Sequence, residues 1–194
     1  MTLTSAIKAR RSIRSYQNKK VSRGLIKELL ELANLAPTAC GLENRRFIVI
    51  DNPQIKKQLY LAACKQEHIL EAAVVVVMAT NTQRFFPKKE LKKTITEKWE
   101  MALPKKFDLN YRLWKQLYPL QDADTAAATL LLAATDKGLA TCWVGAFDFP
   151  GVEKILKIPK NWKVTALITL GYQKNPPYPQ KRNKIEKLVH WNKW

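Results

Sequence analysis

Several residue types are scarce in this chain, and each shortage excludes a class of chemistry. Glycine occurs six times in 194 residues, with neither a P-loop nor a G-x-G-x-x-G run, so the Gly-dependent phosphate cradles are excluded. The two histidines, His68 and His190, stand far apart, and no G-x-S-x-G or carboxylate pair accompanies them. No nucleophile or acid-base pair is therefore legible. Three cysteines, Cys40, Cys64 and Cys142, form no C-x-x-C pair, which argues for a reducing cytoplasm and against a metal site. The longest apolar run, "AAVVVVMA", is far too short to cross a bilayer, and the N-terminus has no apolar signal core, so a cytoplasmic protein with no membrane contact is expected. An enzyme with no acid, base or nucleophile of its own has to borrow its chemistry from a cofactor.

Positive charge is what the chain has in excess: thirty-four Lys and Arg against sixteen Asp and Glu, a formal net charge of +18. Such a balance favours nucleic acid, an anionic surface or a phosphorylated small molecule as partner. The surplus is spread, with +7 over residues 1–50, +5 over 84–106 and +5 over 174–193. No nucleic-acid-binding motif goes with it, so no nucleic-acid partner is expected. The densest patch is "KARRSIRSY", Lys8 to Tyr16. It reads either as a solvated charge run or as an anion site, because guanidinium forks and a serine hydroxyl are good phosphate donors.

The periodicity alternates between helix and strand. "SRGLIKELLELANLA" carries an apolar face after a Ser22 cap and stops at Pro37, as an amphipathic helix does. "RRFIVID" reads as a strand, "NPQIKKQLYLAACKQ" as a helix capped by Asn52, and "AAVVVVMAT" as a strand buried on both faces. Residues 81–120 are less regular, rich in lysine and aromatics; within them Leu91, Ile95 and Trp99 are spaced as one face of a helix. From Asp122 an Ala-rich helix, apolar nearly all round, runs to Gly138 and is expected to pack against a second subunit. "TCWVGAF" reads as a strand, "PGVEKILKIP" as a short helix, "WKVTALITLGY" as a last strand, and residues 173–194 as an extended Pro-rich arm. One domain over 1–194 is expected.

The order of these features resembles the FMN-dependent nitroreductase family. The residues that carry the likeness are R-R-S-I-R-x-Y at Arg10–Tyr16, "APT" closing the first long helix, "GLATCWVGAF" after the Ala-rich helix, and "LITLGY" leading into the arm with "KRNKIEKLVHW". The resemblance implies an α+β fold, a mostly antiparallel central sheet flanked by helices, assembled as an intertwined homodimer. It implies FMN as cofactor, NAD(P)H as hydride donor and an oxidised acceptor (nitroaromatic, quinone or flavin) in a ping-pong reaction. Reductive dehalogenation and flavin fragmentation are the alternatives on the same fold.

Laid on this sequence, the likeness gives Arg10, Arg11 and Ser12 to the FMN phosphate and ribityl chain and Arg14 to the pyrimidine edge of the flavin. Lys181 and Arg182 match basic residues that return to the phosphate. Pro37, Thr38, Ala39 and Gly41 match a loop that approaches the ring, in many members across the dimer interface. Lys65 falls where relatives place an asparagine beside the flavin; an exposed helix lysine is the other reading. Trp143, Val144, Gly145 and Ala146 match the strand end whose backbone lies against the ring, with core packing the equal alternative for Trp143. The sequence departs from the family pattern at Gly41, Glu43, Asn44 and Arg45, where relatives carry Asn, Gln-Pro and Trp. Segment 81–120 is expected to act as a variable lid over the acceptor.

Overall fold

The computed structural model describes residues 1–194. The sheet has four strands, β1 (Arg45–Ile50), β2 (Val74–Asn81), β3 (Ala140–Val144) and β4 (Trp162–Gly171), in the order β1-β2-β4-β3 with every pair antiparallel. Around it stand α1 (Leu3–Ala9), α2 (Arg23–Asn34), α3 (Pro53–Ala62), α4 (His68–Glu71), α5 (Lys88–Lys93), α6 (Phe107–Asp136) and α7 (Phe149–Ile155). This is the α+β architecture expected, and no helix is long and apolar enough to cross a membrane.

β2 shows why its sequence does not alternate. Val74, Val76 and Met78 enter the core formed with α2 and α6, whereas Val75 and Val77 enter the core formed with α3 and α7. A strand covered on both faces has no polar side to write into its sequence. The amphipathic α2 lays Ile26, Leu29 and Ala33 into the first of these cores, and the Ser22 side chain accepts the Leu25 N–H at its start.

The Ala-rich segment differs from expectation in two ways. Its helix begins at Phe107, passes through Pro119, and runs for 30 residues. A proline costs a helix interior one hydrogen bond and a steric clash. Here Pro119 is buried and its carbonyl accepts from Thr80 Oγ1 at 2.8 Å, so packing on β2 helps offset that cost. The helical period upstream is written in aromatics, Phe107, Tyr111, Trp114 and Tyr118 at spacings of four, three and four. Second, the small residues are covered by the chain itself. Ala123, Ala126, Ala127, Leu130 and Ala134 are all 0% exposed, packed against α2 and the sheet, so this face is core and is not open to a second subunit.

The basic N-terminal segment is fastened to the sheet. Ile13 N–H donates to Thr141 O at 2.9 Å, making Ser12 a parallel neighbour of β3, and Gln17 N–H donates to Tyr172 O at 2.8 Å. Tyr16, 3% exposed, lies over Gly171 with its hydroxyl 2.8 Å from Thr169 Oγ1. A Cβ at position 171 would stand 2.9 Å from Tyr16 Cδ1 and 3.1 Å from Ala73 N. Gly171→Ala gains roughly 0.4–1 kcal/mol from a stiffer unfolded chain but meets overpacking of roughly 1–3 kcal/mol. A net loss is expected, seen as a lower urea midpoint at unchanged slope.

Candidate active site

The basic segment leaves α1 at Arg10, where the Arg11 guanidinium folds back onto the carbonyls of Lys8 and Arg10 at 2.7 and 2.8 Å. Arg11 thereby satisfies carbonyls at the helix end. Arg10 and Arg14 are different: neither makes an ion pair within the chain. Arg10 lines a cavity of about 290 Å³ with Thr135, Gly138 and Thr141, and Ser12 and Arg14 line a neighbouring one of about 250 Å³ with Asn175 and Tyr178. Thr141 is 2% exposed and its hydroxyl has no protein partner.

Beside this segment the end of β3 turns outward. The Val144 side chain is buried in the core shared with α3 and Trp143 packs on the core shared with α2 and α6, which realises the packing reading for Trp143. Gly145 and Ala146 are exposed, and a Cβ at Gly145 would meet nothing closer than Trp143 Nε1 at 3.9 Å. The Cys64–Lys65 turn, with both residues in the left-handed region at φ 53° and 52°, is drawn against this end by Gln66, whose amide donates to Ala146 O at 3.0 Å. Lys65 is exposed there. Beneath lies His68, 4% exposed with Nε2 unpartnered; burial first, and Arg14 second, hold its imidazole below the usual histidine value. Arg10, Arg11, Ser12 and Arg14 thus stand at the start of β3, Lys65, Gly145 and Ala146 at its far end, and Trp143 and Val144 on the strand between them.

The 37–41 loop lies elsewhere, and its support explains the departures at 43–45. Arg45, 4% exposed, points its guanidinium at the end of α2, donating to Asn34 O at 2.5 Å, Ala36 O at 2.7 Å and Pro37 O at 3.2 Å. Asp122, also 4% exposed, accepts the Ala39 N–H at 2.8 Å through Oδ1, while its Oδ2 has no partner. Burial raises the Asp122 carboxyl, against the lowering effects of the Ala39 amide and Arg45. The loop needs such support: Cys40 and Glu43 sit at φ 53° and 47°, which costs side-chain-bearing residues roughly 1–2 kcal/mol each. Asn44 also turns inward, donating to Arg84 O at 2.7 Å. Asn44 and Arg45 therefore serve the chain's own backbone, and Glu43 is exposed.

Nothing in the sequence separates Asp122 from Asp124 two residues on; the fold buries the first and leaves the second exposed. Gln66 carries no local signal either. Lys181 and Arg182 are not brought to Arg10; both are exposed on the C-terminal arm, where Arg182 donates to Gln180 Oε1 at 3.3 Å.

Replacing Arg45 removes the donor to three carbonyls and leaves Asp122 buried without its counter-charge. Arg45→Ala is expected to lose roughly 3–5 kcal/mol, read as a lower urea midpoint, and to expose the 38–43 loop to proteolysis. Arg45→Lys, one compact ammonium in place of a fork, should recover a minor part.

The sequence pattern of the Nitroreductase family matches residues 7–172. The chain is 31% identical to a Thermus thermophilus protein named NADH dehydrogenase, over 97% of this chain and 94% of that one. It is 27% identical to YodC of Bacillus subtilis, named as an NAD(P)H nitroreductase, over 95% and 96% of the two chains. Among solved structures, a nitroreductase family protein from Clostridium difficile superposes with a TM-score of 0.79 at 22% identity, covering 100% of both chains. NfrA2 of B. megaterium gives 0.81 at 19%, covering 100% of this chain and 76% of that one. The unpaired arginines against β3, the sheet order and these likenesses agree: the chain belongs to the nitroreductase family of oxidoreductases.

Proposed function

We propose that this protein is an FMN-dependent oxidoreductase that works as a homodimer, taking hydride from NAD(P)H and passing it to an oxidised small-molecule acceptor (a nitroaromatic, a quinone or a flavin) in two successive half-reactions. The observation that carries the reading is the pair of unpaired guanidiniums, Arg10 and Arg14, held beside Ser12 on a segment pinned to the start of β3, the strand whose other end carries the open backbone at Gly145. Two cations spaced along an extended strand fit a ligand with a phosphate at one end and an anion-forming edge at the other. Arg10 and Ser12 would hold the phosphate and ribityl chain, with Arg11 keeping the end of α1 in place. Bound there, FMN would supply the two-electron redox chemistry that the chain's own side chains lack. Arg14 would favour the reduced state by facing the edge where negative charge collects. Gly145 and Ala146 would leave room for the flat ring beside Lys65.

The distance between the two halves of the expected site supports a dimer. Arg10 lies near Thr135 and the 37–41 loop hangs from Asp122. Thirteen residues of α6 separate these points, roughly 20 Å at about 1.5 Å per residue. In this arrangement each ring would meet Pro37, Thr38, Ala39 and Gly41 of a second copy, and Lys181 and Arg182 would reach the phosphate from that copy too. The arm is suited to such a reach: Tyr178, Trp191 and Trp194 are 87%, 85% and 103% exposed, and apolar surface left this open marks an interaction region.

The purified protein is expected to be yellow with stoichiometric FMN. Arg10→Glu should keep the far-ultraviolet circular dichroism and elute without flavin, since losing a charge-assisted contact and adding repulsion costs roughly 3 kcal/mol, about a hundredfold in Kd. Stoichiometric FMN in Arg10→Glu would remove that residue from the site.

A further inference from the structure

A third cavity, of about 390 Å³, lies between α5, the segment after it and the first half of α6. Leu91 and Ile95, 3% and 6% exposed, form its floor. Trp114 and Tyr118 stand on one wall with their rings nearly parallel, 16° apart at 6.2 Å. The rim comes from an irregular backbone: α5 passes into one turn of π-helix, Thr94–Lys98, after which Trp99 N–H donates to Thr94 O and Met101 N–H to Ile95 O, each at 2.9 Å. That turn leaves Trp99 41% and Met101 57% exposed at the mouth. Flat apolar walls and a wet apolar rim, in a volume within the ordinary range for small-molecule sites, describe a pocket that gains by covering a flat ligand.

The lining carries no charge. Its polar side-chain atoms include the Cys40 thiol and the Tyr118 hydroxyl, and burial pushes both groups up, so both stay neutral. The lysines of this region face outward, Lys88 pairing with Asp108 and Lys93 with Glu97. Cys40 belongs to the 37–41 loop, which in the dimer proposed above would bring this cavity to the site of a second copy.

We infer that this cavity takes the electron acceptor and selects an uncharged, flat aromatic of one or two rings, in spite of the net charge of +18. That it is the acceptor pocket rests on the FMN reading; its preference for neutral aromatics does not. A net positive protein attracts anions at long range, but an anion entering this lining meets no cation to replace its water, and an unpaired buried charge is far costlier than an unpaired neutral dipole. A free flavin with its phosphate, or an aromatic carboxylate, is disfavoured on the same ground. Trp99 is the specificity-determining residue, because it closes the mouth with its ring.

The test is calorimetric titration of the purified protein with nitrobenzene and with 4-nitrobenzoate, which differ by one carboxylate. Nitrobenzene should bind saturably and at least tenfold more tightly. Trp99→Ala, at a partly exposed position, should weaken nitrobenzene about tenfold. Ala102→Lys, at an exposed lining position, should shift the preference towards 4-nitrobenzoate, which mere loss of packing cannot do. Equal or tighter binding of 4-nitrobenzoate by the unaltered protein, or constants unmoved by Trp99→Ala, would overturn the inference. The two readings fail separately. Selective nitrobenzene binding by a protein that takes up no FMN keeps the neutral pocket and ends the redox role. Turnover of nitrobenzene by a yellow enzyme with a KM indifferent to Trp99→Ala does the reverse.

Discussion

The buried guanidinium of Arg45 ties together the end of α2, the 37–41 loop and the middle of α6. An α-helix ends with carbonyls that have no partner inside the helix; the side chains at the end of α2 are largely exposed, Leu35 by 80%, while its last carbonyls face the buried Arg45. Arg45 reaches back from β1 to Asn34 O, Ala36 O and Pro37 O, and Asp122 supplies the opposite charge and takes the Ala39 amide. Burying an arginine among several carbonyls, with the Asp122 carboxylate near but not in an ion pair with it, adds little net stability, but removing the guanidinium leaves the others stranded. The arrangement therefore specifies the loop more than it strengthens the fold. Cys40 and Glu43 can hold left-handed backbone because the loop is anchored from two sides.

The long helix α6 acts as a ruler. It fixes the loop at Asp122 and the basic segment near Thr135, on opposite ends of a stretch whose inward face is packed by Ala123, Ala126, Ala127 and Ala134 with no exposed surface. Close packing by small residues gives such a helix little freedom to bend or slide. The proposed sharing of each FMN between two chains follows from that rigidity, as does the placement of the aromatic cavity beside the loop and away from the arginines.

Much of this was legible in the sequence, for identifiable reasons. β2 and β4 declare themselves through runs of β-branched residues, and α2 through its Ser22 cap and Pro37 stop. The start of α6 was hidden because Pro119 interrupts a helical aromatic period that is nevertheless there. The self-burial of its alanines could not be read, since an apolar helix looks alike whether its own sheet or a second subunit covers it. Arg45 looked like a departure from the ring-facing pattern of relatives; its role depends on where α2 ends in space, which no local pattern encodes. The sequence of the basic segment left a solvated charge run and an anion site both open, because nothing local shows that the Arg10 and Arg14 guanidiniums lack partners within the chain.

The claim most open to direct measurement is that one FMN site is built from two chains. Arg10→Glu breaks one half and Thr38→Trp, whose bulk would occupy the ring's place beside the loop, breaks the other. Each variant alone should be colourless. In the mixed dimer separated after co-refolding, an intact Arg10 from one chain meets an intact loop from the other at one of the two sites, and flavin absorbance should return at half the stoichiometry of the unaltered protein. Failure of the mixture to recover any FMN, or full FMN in Thr38→Trp by itself, would place the whole site within a single chain and contradict the account.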